Sequence, residues 1–400
     1  MGTNAERLWL DALSDLLNRS HLFQPDELAD AVGMAVERLG IDPTVYLVDD
    51  EQRALHAVPR GDRPTPEPTG LDDSLPGRVF CQVQSLPATN GGGWWVPMVN
   101  GTDRLGVINF AFTGGADLHD DVTRERCETL AGLIGHLVTV TAPKGDFLYQ
   151  VRRSQAMSTG AELLSQMLPP LTASCERLSL SAVLEPCYDV GGDGFDYAID
   201  GALARMVVLD AVGRGLQAGI LCTVAMAAIR AARRAGLGLV AQASAVDAAI
   251  AEQFTGGSFA TAVLAELDMD AGIVRYINAG HPAPLLLRSG HVVRELAGGR
   301  RLPLGLAGAV EVAEHPMEPG DRLLLYTDGI TEARNAAGEL FGVQRLIDHT
   351  ERHAAAGLPA AETLRRLAHA VACHHDGPAA DDATLLLAEW SPTAARRAVP

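Results

Sequence analysis

The sequence is poor in cysteine and in positive charge. Its 400 residues include six scattered cysteines, with no Cys-x-x-Cys pair and no cysteine–histidine spacing typical of zinc, which excludes a disulfide framework and a zinc finger. Lys and Arg number 32 against 50 Asp and Glu, and the formal charge of −18 repels phosphate backbones. We therefore expect no nucleic-acid partner and reduced thiols. Since no secretory signal is recognisable, we also expect a cytoplasmic location.

Long apolar runs are missing as well. The longest, around residues 220–229, is followed at once by three arginines, so no membrane-spanning segment is predicted. The sequence does contain 47% hydrophobic and 20% charged residues, which is a globular composition with material for sizeable cores. The length of the chain favours two domains.

The first 140 residues predict a domain of mixed helices and strands. Leucine spacing, helix start and stop residues and β-rich runs predict, in order, helices over 5–18 and 25–40, strands at 44–48, 94–98 and 106–112, and a closing helix over 121–138. Asn100-Gly101, between the last two strands, is a hairpin-turn signal.

This order of elements resembles a GAF domain. The matching landmarks are Val45-Tyr-Leu-Val-Asp49, Pro76-Gly-Arg-Val-Phe80, Val96-Pro-Met98 and Leu105-Gly-Val107. GAF domains are small-molecule sensors or dimerisation modules, so the resemblance implies that residues 1–140 receive a small-molecule or protein signal. No cysteine–histidine constellation for haem or bilin is present, and we interpret Cys81 as a core thiol.

A linker helix is predicted over residues 141–165, and Pro169-Pro170 stops it. Its short apolar stripe is compatible with a parallel coiled coil between the protomers of a homodimer, although one stripe does not establish a coiled coil. Residues 166–400 are assigned to a second domain.

Four acidic motifs stand where a predicted strand begins or ends. They are Val190-Gly-Gly-Asp193-Gly-Phe-Asp196, Val207-Val-Leu-Asp210-Ala-Val-Gly213, Leu323-Leu-Leu-Tyr-Thr327-Asp328-Gly329 and Asp381-Asp382-Ala-Thr384. Alone, each is usually a turn or a solvated acid. Their recurrence favours one shared site, where carboxylates without cations repel one another and must be protonated or bind metal. Hard oxygen ligands suit Mg²⁺ or Mn²⁺, and two such ions can direct a water molecule at a phosphoryl group.

Two other kinds of site match parts of this region. Gly213-Arg-Gly215-Leu-Gln-Ala218 fits the glycine fingerprint of dinucleotide-binding folds, but the helix that follows is predicted to reach Ala235 without a second strand that ends in an acid. His281, His374 and His375 are conceivable zinc ligands, yet no motif spacing supports them, and loop histidines are the simpler interpretation.

Taken in order, seven motifs resemble those of stage II sporulation protein E-like phosphatases, the bacterial branch of the metal-dependent type 2C (PPM) serine/threonine phosphatases. The motifs lie at residues 190–193, 209–216, 258–263, 278–284, 303–306, 327–333 and 381–384. The resemblance covers roughly residues 165–391 and implies an α+β protein, in which an α-β-β-α sandwich phosphatase domain follows the GAF-like α/β sensor domain. It places the metals at one end of the sandwich.

Motif matching also implies a set of metal ligands. The implied ligands of two Mn²⁺ or Mg²⁺ ions are the side chains of Asp193, Asp210, Asp328 and Asp381 and the backbone carbonyl of Ala211. Asp381 is preferred to Asp382 because the family pattern puts the ligand three residues before the threonine. Asp196 is either a support for the ligands or a solvated turn acid. Gly194 and Phe195 replace the aromatic pair that is more usual after the first Asp, with unchanged spacing. His281 occupies a position where many eukaryotic relatives carry an Asp for a third metal.

The expected activity is hydrolysis of a phosphoserine or phosphothreonine monoester without a phosphoenzyme. No Cys-x5-Arg signature argues for a covalent thiol route. The resemblance implies that the substrate is a phosphorylated anti-sigma factor antagonist and that the N-terminal domain regulates the enzyme. The alternatives are a non-catalytic module that binds a phosphoprotein or an anti-sigma factor, and a phosphatase of small metabolites.

Overall fold

The computed structural model describes residues 2–89, 92–114, 120–185, 188–189, 191–254, 256–375, 381–393, 395–397 and 399–400. Its contacts divide the chain into two compact units. The N-terminal unit comprises Met1–Ser154 with Arg396–Pro400, and the C-terminal unit comprises Gln155–Ala395. The boundary after Ser154 falls within the predicted linker.

The N-terminal unit is built on a six-stranded antiparallel sheet. Its strands are β1 (Ile41–Val48), β2 (Ala54–Ala57), β3 (Thr69–Gly70), β4 (Leu86–Pro87), β5 (Gly93–Asn100) and β6 (Asp103–Phe112). Their order across the sheet is β3-β2-β1-β6-β5-β4. The turn predicted at Asn100-Gly101 joins β5 to β6, and Gly101 takes the left-handed conformation (φ 60°) that such a turn requires.

Helices cover both faces of this sheet. They are α1 (Gly2–Ser20), α2 (Leu28–Val36), α3 (Leu75–Gln82), α4 (Asp121–Thr141) and α5 (Phe147–Arg152). Leu16 of α1, Val32 of α2 and Ile134 of α4 share one core with the sheet, whereas Phe80 of α3 packs with Tyr46 in a second core. The predicted mixture of helices and strands is confirmed, and the GAF identity of the unit stays a prediction.

The structure differs from the single linker helix predicted over 141–165. After α4 the chain forms one 3-10 turn, α5 and then α6 (Thr159–Met167), with extended backbone at Gly145 and Arg153 between them. The side chain of Ser158 starts α6 anew by accepting a hydrogen bond from the N–H of Ala161. Helix α6 ends where it was predicted to stop, because Leu168 precedes a proline and is held extended.

The C-terminal unit contains two six-stranded sheets. Its strands are β7 (Thr172–Cys175), β8 (Leu178–Glu185), β9 (Asp193–Asp200), β10 (Leu203–Ala211), β11 (Ala260–Asp268), β12 (Ile273–Ala279), β13 (Leu285–Arg288), β14 (His291–Glu295), β15 (Arg300–Arg301), β16 (Ala313–Pro316), β17 (Arg322–Tyr326) and β18 (Ala383–Trp390). Sheet I has the order β15-β12-β11-β10-β9, with β16 also paired to β12. Sheet II has the order β14-β13-β17-β18-β8-β7.

Helices form the outer layers of this unit. Besides α6 they are α7 (Gly215–Arg234), α8 (Leu239–Gln253), α9 (Asp328–Glu332), α10 (Gly342–Ala355) and α11 (Ala360–His374). Strand β10 explains the layering: Met206 and Val208 lie in the core between the sheets, while Val207 and Leu209 lie in the core shared with α6, α7 and α8. Helices α9, α10 and α11 pack against sheet II. The predicted α-β-β-α sandwich is confirmed.

Helix α7 is the one helix within the described ranges whose length and composition would suit a membrane span. In this structure its apolar residues pack against sheet I of the sandwich. Leu221, Ala225 and Ile229 are buried in the core beneath sheet I. Helix α7 therefore has the apolar face of a core helix.

Candidate active site

The first two acidic motifs meet where β9 and β10 lie side by side. Asp193, the first residue of β9, lies directly opposite Asp210 near the end of β10. Phe195 and Val208, two residues along each strand, lie in the core between the sheets. Because side chains alternate along a strand, Asp193 and Asp210 continue the same inter-sheet face to its edge.

The other two acidic motifs reach this edge from sheet II. Thr327, which follows β17, donates its hydroxyl proton to Oδ2 of Asp193 at 2.7 Å. The same hydroxyl oxygen accepts the backbone N–H of Thr384 in β18 at 2.8 Å. Thr327 thus connects the first motif in sheet I to the third and fourth motifs in sheet II, and all three residues are buried.

Asp382 holds the loop that precedes β9. Its Oδ2 accepts the backbone N–H groups of Gly191 at 2.6 Å, Gly192 at 2.7 Å and Asp193 at 3.2 Å. Successive backbone N–H groups around one oxygen form an anion nest. Asp382 is buried and committed to this nest, whereas its neighbour Asp381 is exposed.

The carbonyl of Ala211, the predicted backbone ligand, lies against the same loop. The N–H of Ala211 donates to the carbonyl of Gly192 at 3.1 Å. A Cβ atom at position 192 would come within 2.3 Å of the Ala211 oxygen, so only glycine allows the two segments to approach this closely. The glycines of the first motif therefore bring Ala211 beside Asp193.

Crowding of carboxylates raises their pKa values. Burial, and then the charge of Asp210, raise the pKa of Asp193 well above its ordinary value. Burial raises the pKa of Asp210 to about 7, and the charges of Asp328 and of the pair at 381–382 act in the same direction. Burial, and then the charges of Glu332 and Asp381, also raise the pKa of Asp328. The four motifs therefore share one electrostatic environment that disfavours negative charge.

The predicted ligands influence one another's pKa values, but their side chains do not form a ready metal site. Within the described ranges, no three Asp, Glu, His or Cys side chains lie close enough together to hold a metal ion as they stand. The donors nevertheless fit Mg²⁺ or Mn²⁺, because all of them are hard oxygen atoms. Holding one ion between them requires these side chains to turn towards each other.

Asp196 is not the solvated turn acid that was one of its two predicted roles. It is 2% exposed, and its carboxylate receives hydrogen bonds from Arg230 at 2.7 Å and 3.0 Å and from Arg233 at 2.8 Å. Arg230 also donates to the carbonyl of Met167 at the end of α6. Asp196 therefore fastens β9 to α6 and α7 as a buried ion pair, and it is not a solvated turn acid.

The departure at Gly194 has a packing reason. A Cβ atom at this position would come 2.6 Å from Sγ of Cys222 and 3.3 Å from Sδ of Met226. These two side chains of α7 fill the space that a larger residue after Asp193 would need. Cys222 is fully buried, and burial together with the nearby carboxylates raises its thiol pKa well above the ordinary value.

The two competing kinds of site do not form. Strand β10 and the next strand, β11, are antiparallel, whereas a dinucleotide fold requires a parallel crossover after the glycine fingerprint. His281 is buried against Thr261, with Nδ1 and Oγ1 2.7 Å apart. His374 instead lies on α11, with Nε2 3.0 Å from the carbonyl oxygen of Glu339. The structure therefore does not bring these histidines into one zinc site.

Sequence reasoning did not predict the supporting roles of Thr327, Asp382 and Thr261. Thr327 and Asp382 stand next to predicted ligands, and their adjacency to Asp328 and Asp381 was the available signal. The partner of Thr261 was not visible, because His281 lies 20 residues further along the chain.

Part of the chain matches a known protein family. Residues 200–391 match the family model of stage II sporulation protein E (SpoIIE). The chain is 24% identical over 221 residues to Protein IcfG of Synechocystis sp. and 23% identical over 178 residues to phosphoserine phosphatase RsbU of Bacillus subtilis. These alignments cover 48% and 43% of this chain, and 35% and 53% of the two relatives.

One solved structure with a similar chain holds the RsbU and RsbW domains of Rv1364c from Mycobacterium tuberculosis. It is 27% identical, with a TM-score of 0.48, and the similarity covers 54% of this chain and 62% of that chain. The family match itself includes the motifs of Asp210, Asp328 and Asp381, and Asp193 lies just upstream of it on β9. Residues 200–391, which make up most of the C-terminal unit, are therefore similar to SpoIIE, and the comparisons support a SpoIIE-like phosphatase of the PPM type.

Proposed function

We propose that this chain is a metal-dependent protein serine/threonine phosphatase. Its reaction is hydrolysis of a phosphoserine or phosphothreonine monoester, with the carboxylates of Asp193, Asp210, Asp328 and Asp381 and the carbonyl of Ala211 as the metal ligands. The observation that carries the proposal is the arrival of four acidic motifs, from both sheets, at one end of the sandwich. The SpoIIE match of residues 200–391 and the phosphoserine phosphatase among the relatives support the same reaction class.

The charge of the site explains why a cation is needed. A phosphate monoester is an anion, and ionised carboxylates at this edge repel it. Two Mn²⁺ or Mg²⁺ ions would supply the positive charge that offsets the carboxylates and would activate water for attack on phosphorus. The chain's own contribution is to hold Asp193 through the Thr327 hydroxyl and to hold the Gly191–Asp193 loop through Asp382.

Among the described residues of this unit, the cysteine next to the carboxylates does not support a covalent thiol route. Cys222 is the cysteine whose pKa responds to the Asp193 and Asp210 charges, and it is fully buried beneath β9. Burial and the nearby carboxylates keep its thiol protonated, while the nucleophile of a thiol phosphatase is a thiolate. We therefore propose direct attack by water as the route at this site.

A synthetic aryl phosphate separates an enzyme from a binding module. The full chain should release phosphate from it with Mn²⁺ and lose that activity in EDTA, and Asp210→Asn should be inactive in both buffers. A metal-loaded, folded chain with no turnover would favour the non-catalytic module. A panel of phosphoserine proteins against small phosphomonoesters then decides between a protein and a metabolite substrate.

The biological setting is the finer part of the proposal. We propose a phosphorylated anti-sigma factor antagonist as the substrate, regulation by a signal at the N-terminal unit, a cytoplasmic location and a homodimeric state. The division of the chain after Ser154 supports separate regulatory and catalytic units. Deleting residues 1–154 should leave basal turnover and remove the response to any signal. An inert but folded and metal-binding fragment would mean that the N-terminal unit supplies something essential to catalysis.

A further inference from the structure

His281 lies in the loop where the chain crosses from one sheet to the other. Strand β12, before the loop, belongs to sheet I, and β13, after it, belongs to sheet II. The side chain of Asn278 closes the turn, because its Nδ2 donates to the His281 carbonyl and its Oδ1 accepts the His281 N–H, both at 2.8 Å. The backbone of His281 is therefore fixed on both sides.

The imidazole of His281 contacts the strand that neighbours Asp210. Its Nδ1 lies 2.7 Å from Oγ1 of Thr261, and Thr261 is the residue of β11 directly opposite Asp210. Val263, two residues along β11, lies in the core between the sheets, so Thr261 shares the inter-sheet face with Asp210. One ring nitrogen is thus attached to sheet I beside a predicted metal ligand.

The other ring nitrogen, Nε2, is buried. His281 is 7% exposed, and its Nε2 has no hydrogen-bond partner of ordinary geometry among the described residues. The backbone of Tyr326 in sheet II also acts on the ring and favours the protonated imidazole. Tyr326 ends β17, two residues before Asp328. Burial outweighs the Tyr326 backbone and lowers the pKa of His281 to about 3, so the ring is neutral at physiological pH.

We propose that His281 is a positioning residue that sets the separation between Asp210 in sheet I and Asp328 in sheet II. It does so as a rigid, neutral wedge between Thr261 and the backbone of Tyr326. The cross-sheet hydrogen bonds of Thr327 and Asp382 at this edge act on the loop and strand of Asp193. This inference rests on the proposed function, since it assigns His281 to the support of the metal ligands.

Replacement of His281 distinguishes support of the ligands from support of the core. His281→Phe keeps the ring and removes both nitrogens, while His281→Asn can restore a polar atom near the position of Nδ1. His353→Phe is the matched control, because His353 lies on α10 in the outer helical layer and its buried Nδ1 also lacks a partner within the described chain. The measurements on the full chain are Mn²⁺ titration calorimetry, thermal melting in EDTA, and kcat and KM with an aryl phosphate.

We expect His281→Phe to bind Mn²⁺ about 10–100-fold more weakly, as is typical when a residue that orients metal ligands is lost. Its kcat should fall more than its KM rises, and its melting temperature in EDTA should stay close to that of the wild type. His281→Asn should recover most of the Mn²⁺ affinity, and His353→Phe should resemble the wild type. Should His281→Phe fold poorly, Thr261→Val removes the same contact with a small change and should also weaken Mn²⁺ binding several-fold.

Two results would overturn the inference, and they differ from failure of the proposed function. A well-folded His281→Phe with wild-type Mn²⁺ affinity and kcat would show that the ring does not position the ligands. A large loss of melting temperature in EDTA, with unchanged Mn²⁺ affinity in the folded protein, would make His281 a core residue only. A wild-type chain that neither binds Mn²⁺ nor hydrolyses the ester would instead refute the proposed function, and this inference with it.

Discussion

Substitutions of Asp382 test whether this residue shapes the site or binds metal. Asp382→Ala removes the oxygen that accepts three backbone N–H groups. Gly192 and Asp193 are buried, so their N–H groups cannot turn to water, and each buried donor without an acceptor costs about 1–3 kcal/mol. Loss of the Asp382 charge also relieves the repulsion that helps to raise the pKa of Asp193, which offsets part of this cost.

We therefore expect Asp382→Ala to lower the free energy of unfolding of the C-terminal unit by about 3 kcal/mol. For a unit of this size that corresponds to a melting temperature about 6–12 °C lower. Asp382→Asn keeps a side-chain oxygen for the nest and loses only the charge assistance, so its cost should be about 1 kcal/mol. Asp381→Asn should be as stable as the wild type in EDTA, because Asp381 is exposed.

Thermal melts of the full chain in EDTA and in excess Mn²⁺ test these expectations together. Asp382→Asn should keep most of the stabilisation by Mn²⁺, whereas Asp381→Asn should lose most of it. An Asp382→Ala variant as stable as the wild type in EDTA would refute the structural role of the nest. If Mn²⁺ no longer raised the melting temperature of Asp382→Asn but still raised that of Asp381→Asn, Asp382 would be the metal ligand and Asp381 would not.

Three further predictions concern the same edge of the sandwich. Asp328→Asn should be catalytically inactive yet no less stable in EDTA, since it removes one of several repelling carboxylates; a marked loss of stability there would make Asp328 a structural turn residue. Gly194→Ala should lower the melting temperature by several degrees, and Cys222→Ala should reduce that loss by removing the sulfur 2.6 Å from the new Cβ; equal losses in both backgrounds would refute the packing argument. The pKa of Asp210, raised to about 7, lies above the unfolded value, so its contribution to stability is lost as the pH rises through 7. In EDTA the wild type should therefore lose melting temperature relative to Asp210→Asn as the pH rises from about 5 to about 7, and the two profiles should run parallel above about pH 7.5; profiles that are parallel over the whole range would contradict the raised pKa.

The layered fold could be predicted because its signals are local. Met206 to Leu209 of β10 form a continuous apolar run, which is typical of a strand buried on both faces, and Val208 and Val207 do lie in different cores. The acidic motifs could also be recognised in the sequence, because each lies directly before or after an apolar strand. The breaks in the linker were harder to predict. Its apolar spacing alone favoured one helix, but Gly145 and the residues before Ser158 interrupt that helix.

Contacts between distant parts of the sequence could not be predicted. The arginines that bury Asp196 follow it by 34 and 37 residues and lie on a different element, so the local sequence suggested a turn. The loop that Asp382 holds precedes it by about 190 residues. Such partners depend on how the two sheets face each other, and neither hydrophobic periodicity nor motif spacing encodes that arrangement.

The central claim is that the C-terminal unit uses its converging carboxylates to hydrolyse phosphoserine or phosphothreonine with the help of a divalent cation. The most direct measurement is inorganic phosphate release from a phosphoserine protein by the full chain, with Mn²⁺ and with EDTA, beside Asp193→Asn. We expect release by the wild type in Mn²⁺ alone, and a rate at least about 100-fold lower for Asp193→Asn, which corresponds to about 2.7 kcal/mol of lost transition-state stabilisation. Release that persists in EDTA, or that survives Asp193→Asn, would contradict the claim.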